Sequence, residues 1–321
     1  VSMKVLVPLN SKDHVASYIA SGAGEFYIGF YDSSWEKRFG DYHDLNRMSG
    51  YRKNANAYTF EEMCHLLVRM KEKTIPTFVT FNSSCYSDEQ LDTIKEYFVR
   101  LKELGADGVI VSCAELVMLA VEIGIPAVIS TIAGVYNHDI AKFYAELGAK
   151  RIILPRDLSV SEIRSIVERL PKMEFEVFMM RNGCVFSDSY CLGLHRSEKC
   201  SVCGAISTAK EEVVTVGGHS AEEEKVLKND CQLRCEFHNQ ACGQCAIYDF
   251  VSMGISAAKI VGRSDDWVNI CDDIEAVARN IKIAKGCKSR KEYLSKMERK
   301  QENSLCHDSF SCYYPEIRFD S

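Results

Sequence analysis

The chain has 321 residues, of which 46% are hydrophobic, so it is long enough to bury the core of one large domain or two modest ones. Its 39 basic residues are outnumbered by 45 acidic ones, for a formal net charge of -6. This balance excludes the basic excess typical of proteins that follow a phosphate backbone. No apolar run reaches the about 18 residues of a membrane span, and the N-terminus lacks a signal peptide's charged start. We therefore expect a cytoplasmic globular protein that makes no membrane contact.

Short β-rich apolar runs alternate with amphipathic helical patterns along the chain. Two of the predicted helices, over residues 59–73 and 87–104, begin at a threonine and a serine, residue types that cap helix N-termini. Three glycines follow helical patterns directly before a strand, as C-terminal caps do, at Gly105, Gly124 and Gly148. The strand candidates lie at residues 4–9, 25–30, 77–82, 108–113, 127–131, 151–155, 174–180 and 257–263.

This alternation predicts an α/β fold, a TIM-like (β/α)8 barrel over residues 3–286. Each parallel strand needs a crossover helix, and a closed sheet leaves no strand edge exposed. An open doubly wound sheet is the alternative. Residues 287–321 are predicted to form a C-terminal helix and tail, with the basic helix as a solvated surface element.

The 15 cysteines are many for a chain without an export signal, since disulfides are uncommon in reducing compartments, and this usage favours metal ligation or redox chemistry. Most of them fall in residues 181–245, a long break in the β/α rhythm after the seventh strand. Loops of that length are usually functional, and a loop after a barrel strand lies on the catalytic face. The cysteines of this insertion are Cys184, Cys191, Cys200, Cys203, Cys231, Cys235, Cys242 and Cys245.

Two C-x2-C pairs stand out within the insertion, Cys200 with Cys203 and Cys242 with Cys245. This spacing lets two thiolates reach one ion or cluster from a tight turn. Tetrahedral thiolate sites suit zinc and iron-sulfur clusters alike, so a zinc ion that only tethers the loop is an alternative to a cluster. Cys306 and Cys312, in the polar tail, have no assignment.

Six stretches of the chain occur in the order seen in peptidase family U32, which this sequence resembles over about residues 3–265. They are "GAGEFYIGF", "FVTFN", "LGADGVIVSCAEL", "RIILPRDLS", "EVFMMRNGCVFSDSYC" and "MGISAAKIVGR". The family signature has a cysteine after the seventh strand, a second one seven residues on, and a closing Lys-Ile-x-Gly-Arg strand. Cys184 and Cys191 reproduce the seven-residue step. The resemblance implies a 4Fe-4S cluster held by four cysteines, with these two among them.

The third and fourth ligands are left open by the resemblance. Counted back from Lys259, Cys242 falls where many family members carry a cysteine, whereas Cys245 does not. Cys203 is preferred over Cys200 as the third ligand. The remaining alternatives are Cys231, Cys235 and Cys245.

The chain departs from the family signature in three places while keeping the first two cysteines. These departures leave open which substrate the chain takes. The usual His-Gly is replaced by Asn182-Gly183, the Ser-Gly-Arg before the second cysteine by Asp188-Ser189-Tyr190, and the glutamate of the closing strand by Val261.

The sequence contains no H-E-x-x-H and no G-x-S-x-G motif, which argues against common peptidase mechanisms. The resemblance implies instead an iron-sulfur enzyme that modifies its substrate by oxygen-independent hydroxylation or oxygen transfer, with prephenate as an oxygen donor among relatives. The substrate would be a small molecule or a nucleobase, and a second protein of the same family is a candidate partner. A peptidase and a zinc-stapled, non-catalytic binding module are the alternatives.

Candidate substrate-binding residues are polar side chains at the C-terminal ends of the predicted strands. Arginine is the natural partner of a carboxylate, because its planar guanidinium bonds both oxygens. Asp157 is a candidate general acid or base, although an Arg-Asp neighbour pair at a strand end can equally be a structural ion pair. The candidates for substrate binding are Asn82, Thr131, Arg156, Asn182 and Arg263.

Overall fold

A computed structural model describes residues 2–40, 44–49, 55–184, 187–191, 220–221, 240–263, 265–298 and 311–318. Eight strands close into a parallel barrel in which neighbours follow each other in chain order, and the last strand pairs again with the first. The (β/α)8 prediction is therefore confirmed, and the open sheet is excluded. The barrel strands are β1 (Lys4–Pro8), β2 (Glu25–Ile28), β5 (Thr77–Phe81), β6 (Gly108–Val111), β7 (Ala127–Ile129), β8 (Arg151–Ile153), β9 (Glu174–Met180) and β10 (Ala257–Ile260).

Helices surround this barrel, and a separate two-stranded sheet of β3 (Phe30–Tyr31) and β4 (Tyr58–Thr59) lies between β2 and β5 in the chain. Hydrophobic side chains between the helices and the strands form one continuous core. The helices are α1 (Val15–Ser21), α2 (Ser33–Phe39), α3 (Phe60–Glu72), α4 (Asp88–Glu103), α5 (Ala114–Ile123), α6 (His138–Glu146), α7 (Val160–Val167), α8 (Ile247–Met253), α9 (Trp267–Lys285) and α10 (Arg290–Lys296).

The helix ends follow the local signals of the sequence. Thr59 and Ser87 accept hydrogen bonds from the backbone N–H groups of Glu62 and Gln90, whose side chains bond back, so both α3 and α4 begin with a complete capping box. At the other end of α5, Gly124 has φ of 80° and its N–H donates to the carbonyl of Ala120 at 2.8 Å. A glycine is favoured there because left-handed backbone strains residues with a Cβ.

Buried charges form an ion-pair network inside the barrel near the N-terminal ends of several strands. Arg151 contacts both oxygens of Glu25, at 2.5 and 3.2 Å, and one oxygen of Glu174, at 2.6 Å. Lys259 donates to Glu176 at 2.7 Å. Since each buried cation has a carboxylate partner, this end of the barrel is satisfied internally.

The C-terminal segment, residues 311–318, packs against the barrel beside β9. The hydroxyl of Tyr314 donates to the carbonyl of Phe178 at 2.9 Å, and that of Tyr313 donates to the carbonyl of Arg181 at 2.6 Å. Both tyrosines are buried. The segment therefore borders the start of the cysteine-rich insertion, of which residues 181–184, 187–191, 220–221 and 240–245 are described. Among the described helices, none has the length and apolarity needed to cross a membrane.

Candidate active site

The five predicted substrate-binding residues lie at one end of the barrel, because each follows the C-terminal end of a parallel strand. Asn182 follows β9 directly after Arg181, and both have positive φ, 49° and 56°. The amide of Asn182 donates to a carboxylate oxygen of Asp265 at 3.0 Å, and Arg181 pairs with the buried Asp273. These contacts stabilise a left-handed turn that leads into Cys184.

Asp188 is the centre of a buried charge cluster at this end of the barrel. It is 0% exposed, and one carboxylate oxygen accepts a hydrogen bond from Arg47 at 2.6 Å. The other oxygen accepts from Arg156 at 2.8 Å and from the hydroxyl of Thr131 at 3.1 Å. Burial acts against ionisation, but the two guanidinium groups prevail and hold the pKa of Asp188 well below its usual range. The group is therefore a carboxylate anion at physiological pH.

The guanidinium group of Arg156 bonds other groups of the protein. Its guanidinium stacks on the ring of Phe178, 4.3 Å from the centroid, and also donates to the carbonyl of Asn182. Its carboxylate partner is Asp188 and not the sequence neighbour Asp157, whose side chain is exposed. The acid or base role of Asp157 stays a prediction.

The side chain of Asn82 also forms hydrogen bonds to two neighbouring segments of the chain. Its side-chain oxygen accepts from the backbone N–H of Arg47 at 3.2 Å, and its amide donates to the hydroxyl of Ser130 at 3.1 Å. Asn82 thus positions the segment that brings Arg47 to Asp188. Sequence reasoning did not identify Arg47, and it noted Asp188 only as a departure from the family signature, since neither residue lies at the end of a predicted strand.

Arg263 differs from the other arginines of this end of the barrel because its hydrogen-bond partners are neutral. It is 7% exposed and donates to the side-chain oxygens of Asn56 at 2.9 Å and Thr80 at 3.4 Å. No carboxylate in the described part of the chain forms an ion pair with it. Burial lowers the pKa of Arg263 to about 10, and a shift of that size corresponds to roughly 3 kcal/mol of destabilisation of the charged form. An anion bound here would relieve that penalty.

Gly29, next to β2, leaves the space that the guanidinium of Arg263 occupies. A Cβ at this position would lie 2.0 Å from Nη1 of Arg263 and 2.1 Å from Oδ1 of Asn56. No real Cβ tolerates such distances. Arg263 can therefore occupy its position only because residue 29 has no side chain.

We expect Gly29→Ala to displace Arg263 and thereby to weaken about tenfold the carboxylate binding that the sequence predicts for this arginine. The clashing atoms are the ends of side chains, so the guanidinium should move while the barrel stays folded. Equilibrium titration with small carboxylates checks the affinity. Gly286→Ala is a matched control, because a Cβ there meets only the Ile283 carbonyl oxygen, at 3.5 Å. Unchanged carboxylate affinity in Gly29→Ala would contradict the requirement.

Cys184 and Cys191, the strongest predicted ligands, lie on either side of a short 3-10 helix, Asp188–Tyr190. Both are partly exposed. The backbone N–H of Cys191 donates to the carbonyl of Asp188 at 3.2 Å. The charge cluster and the cysteine loop are therefore one structural unit.

Cys242 lies between two chain segments, with Met180 as its antiparallel partner and Cys312 as its parallel partner. Its N–H donates to the carbonyl of Ser311, and its carbonyl accepts from the N–H of Tyr313, both at 2.9 Å. Directly paired residues present their side chains on the same face. The structure thus brings the unassigned Cys312 beside a candidate ligand, a proximity that no local sequence pattern signals.

The predicted cluster ligands are not tested by this geometry and stay predictions. Cys245 is buried, and Cys200, Cys203, Cys231 and Cys235 lie outside the described residues. Within the described ranges, no three His, Cys, Asp or Glu side chains converge as metal ligands do.

The chemistry of the described cysteines nevertheless suits metal ligation. Cys184 and Cys191 are partly exposed on a loop that is held by the guanidinium groups of Arg47 and Arg156. Cysteine thiolates are ligands of iron-sulfur clusters and of zinc. The donor chemistry of Cys184, Cys191 and Cys242 therefore fits a thiolate-bound metal centre.

The closed barrel, with a buried arginine and a cysteine-bearing loop at the C-terminal ends of its strands, defines a (β/α)8 protein. In enzymes of this fold, that end of the barrel carries the active site. The chain belongs to peptidase family U32, whose sequence model matches residues 10–319. The family expectation from the motifs is thereby confirmed.

Relatives within this family carry different names. A tRNA hydroxylation protein P of Helicobacter pylori is 34% identical over 145 residues, which are 44% of this chain and 33% of that protein. An uncharacterized protease of Methanocaldococcus jannaschii is 29% identical over 61% of this chain and 46% of its own length. A collagenase of Porphyromonas gingivalis is 22% identical over 70% of this chain and 53% of its own. The chain spans between a third and about half of the length of these relatives.

Proposed function

We propose that the chain is an iron-sulfur-dependent modification enzyme of the U32 family that hydroxylates, or transfers oxygen to, a small molecule or a nucleobase without using molecular oxygen. The observation that carries this proposal is the presence, at one end of the barrel, of a buried arginine with neutral partners and a loop with two partly exposed cysteines. The relatives named tRNA hydroxylation protein P support a hydroxylation-type reaction.

Cys184, Cys191 and Cys242 would hold a 4Fe-4S cluster in this proposal, with a fourth ligand from the other insertion cysteines, Cys203 before the rest. When bound, the cluster would supply electron-transfer chemistry at the barrel mouth. Arg263 would bind a carboxylate of the substrate or of the oxygen donor in bidentate geometry. Asn56 and Thr80 would hold the guanidinium in place, as their contacts already do.

The substrate is proposed to enter as a free small molecule or as a single base removed from its stack. The net charge of -6 does not favour extensive contacts with a phosphate backbone. Assembly with a second protein of the same family and a cytoplasmic location stay predictions.

We expect the anaerobically purified protein to contain about four irons and four sulfides per chain, with a broad visible absorption band. Cys184→Ala and Cys191→Ala should each lose this iron, because a cluster that lacks one thiolate is poorly retained. Cys64→Ala is the matched control, since Cys64 lies on α3 outside the barrel. Elemental analysis and absorption spectra are the measurements.

Three other results would count against the proposal. Stoichiometric zinc without iron would replace it with a zinc-stapled binding module. Iron that persists in both cysteine variants would place the ligands elsewhere. Peptide cleavage that survives complete removal of iron would instead support the peptidase alternative.

A further inference from the structure

The loop that carries Cys184 and Cys191 is fastened to the barrel mainly by Asp188, beside which the hydroxyls of Ser187 and Ser189 also bond the hydroxyl of Tyr136. The three hydrogen-bond donors to Asp188 come from distant parts of the chain: Arg47 precedes β4, Thr131 follows β7 and Arg156 follows β8. Both carboxylate oxygens are used, and the group is fully buried. Charge-assisted hydrogen bonds of this kind are short and orient their partners strongly.

The same cluster reaches the backbone at both ends of the cysteine loop. Arg156 donates to the carbonyl of Asn182, two residues before Cys184, as well as to Asp188. At the other end, the carbonyl of Asp188 accepts from the N–H of Cys191. A shift of the Asp188 carboxylate would therefore move the backbone on both sides of the two cysteines.

We propose that Asp188 is a positioning residue that fixes Cys184 and Cys191 in the arrangement needed to bind the metal centre. This inference rests on the proposed function, since it presupposes that the two cysteines are ligands. Arg47 and Arg156 are ordered by Asp188, which leaves Arg263 as the arginine with neutral partners in the described mouth.

The test compares Asp188→Ala and Asp188→Asn with wild type in iron content, in the EPR spectrum of the reduced protein and in the rate of iron loss to a chelator. Loss of groups that orient metal ligands typically costs 10- to 100-fold in metal affinity, so we expect roughly tenfold or faster iron loss in both variants. Asp188→Asn keeps the shape of the side chain but removes its charge and turns one acceptor oxygen into an NH2 group that only donates. It therefore reports on positioning even if Asp188→Ala does not fold.

Chemical rescue distinguishes the loss of the Asp188 carboxylate from general damage to the fold. Asp188→Ala leaves a space between two arginines, and added formate or acetate should restore slow iron loss and the wild-type EPR spectrum. Asp139→Ala is the matched control, since it removes an exposed carboxylate whose ion-pair partner is His138 and not Arg47 or Arg156. It should retain iron and show no response to acetate.

Wild-type iron retention in Asp188→Asn would overturn the positioning role, as would a folded Asp188→Ala protein that neither formate nor acetate rescues. Either result would leave the proposed function intact if wild type contains iron that Cys184→Ala lacks. Wild-type protein without iron would instead overturn the proposed function itself.

Discussion

The Arg263→Met protein should bind small carboxylates at least about 100-fold more weakly than wild type, while its stability stays the same or increases. Two charge-assisted hydrogen bonds of about 1.5–3 kcal/mol each would be lost with the guanidinium. The fold loses little, because Arg263 forms no ion pair in the described structure and its charge is destabilised by burial. Replacing a buried charge by an apolar side chain of similar volume is often neutral or stabilising.

Isothermal titration with a panel of small carboxylates, prephenate among them, measures the affinity, and thermal unfolding measures the stability. In the variant, the side-chain oxygen of Asn56 loses the hydrogen bond from Arg263, which limits any gain in stability. We therefore expect the melting temperature to change by no more than about 2–4 °C. Arg38→Met is the control for loss of a charge, since Arg38 is exposed and paired with Glu89. Wild-type carboxylate affinity in Arg263→Met would rule out the anion site.

The same substitution at Arg151 should have the opposite effect on stability. Arg151 is also buried, but it bonds Glu25 and Glu174 and stacks on Phe78, 4.9 Å from the ring centroid. Arg151→Met would leave Glu25, 2% exposed, without its arginine. Breaking a buried ion pair on one side costs about 3–5 kcal/mol. We expect a melting temperature lower by roughly 10 °C.

Thermal and urea unfolding of the two methionine variants side by side test this contrast. Lys4 also donates to Glu25, at 3.0 Å. In Arg151→Met, this lysine can therefore relieve part of the cost of leaving Glu25 without its arginine. Arg38→Met should change the free energy of unfolding by no more than about 1 kcal/mol, as exposed ion pairs do. A loss of stability in Arg263→Met as large as in Arg151→Met would contradict the distinction between a structural and a ligand-binding arginine.

Local sequence patterns were sufficient to predict the barrel, because the hydrophobic periodicity and helix caps of each β/α unit involve residues close together in the chain. The helices predicted over 59–73 and 87–104 are observed as Phe60–Glu72 and Asp88–Glu103, and their caps are the predicted threonine and serine. The position of the cysteine loop also followed from topology, since Cys184 comes directly after a barrel strand. Periodicity and capping depend on residues within one or two turns, so they can be read without tertiary information.

The sequence did not predict which side chains pair with one another. Arg156 and Asp157 are adjacent and of opposite charge, yet Arg156 pairs with Asp188, 32 residues away. Thr131 was assigned to substrate binding and donates to the same carboxylate. These partners are decided by which side chains the closing of the barrel brings together.

The sequence by itself determined the family, the (β/α)8 barrel and the end of the barrel at which the cysteines lie, because each depends on local motifs and on the direction of the strands. Only the tertiary structure decided that Arg263 has neutral partners, that Asp188 fastens the cysteine loop, and that Cys312 lies beside Cys242. The physical reason is that burial and ion pairing depend on distances between segments far apart in the chain. Among the arginines described at this end of the barrel, Arg263 is the one with neutral hydrogen-bond partners, and it is the one that we propose binds an anion.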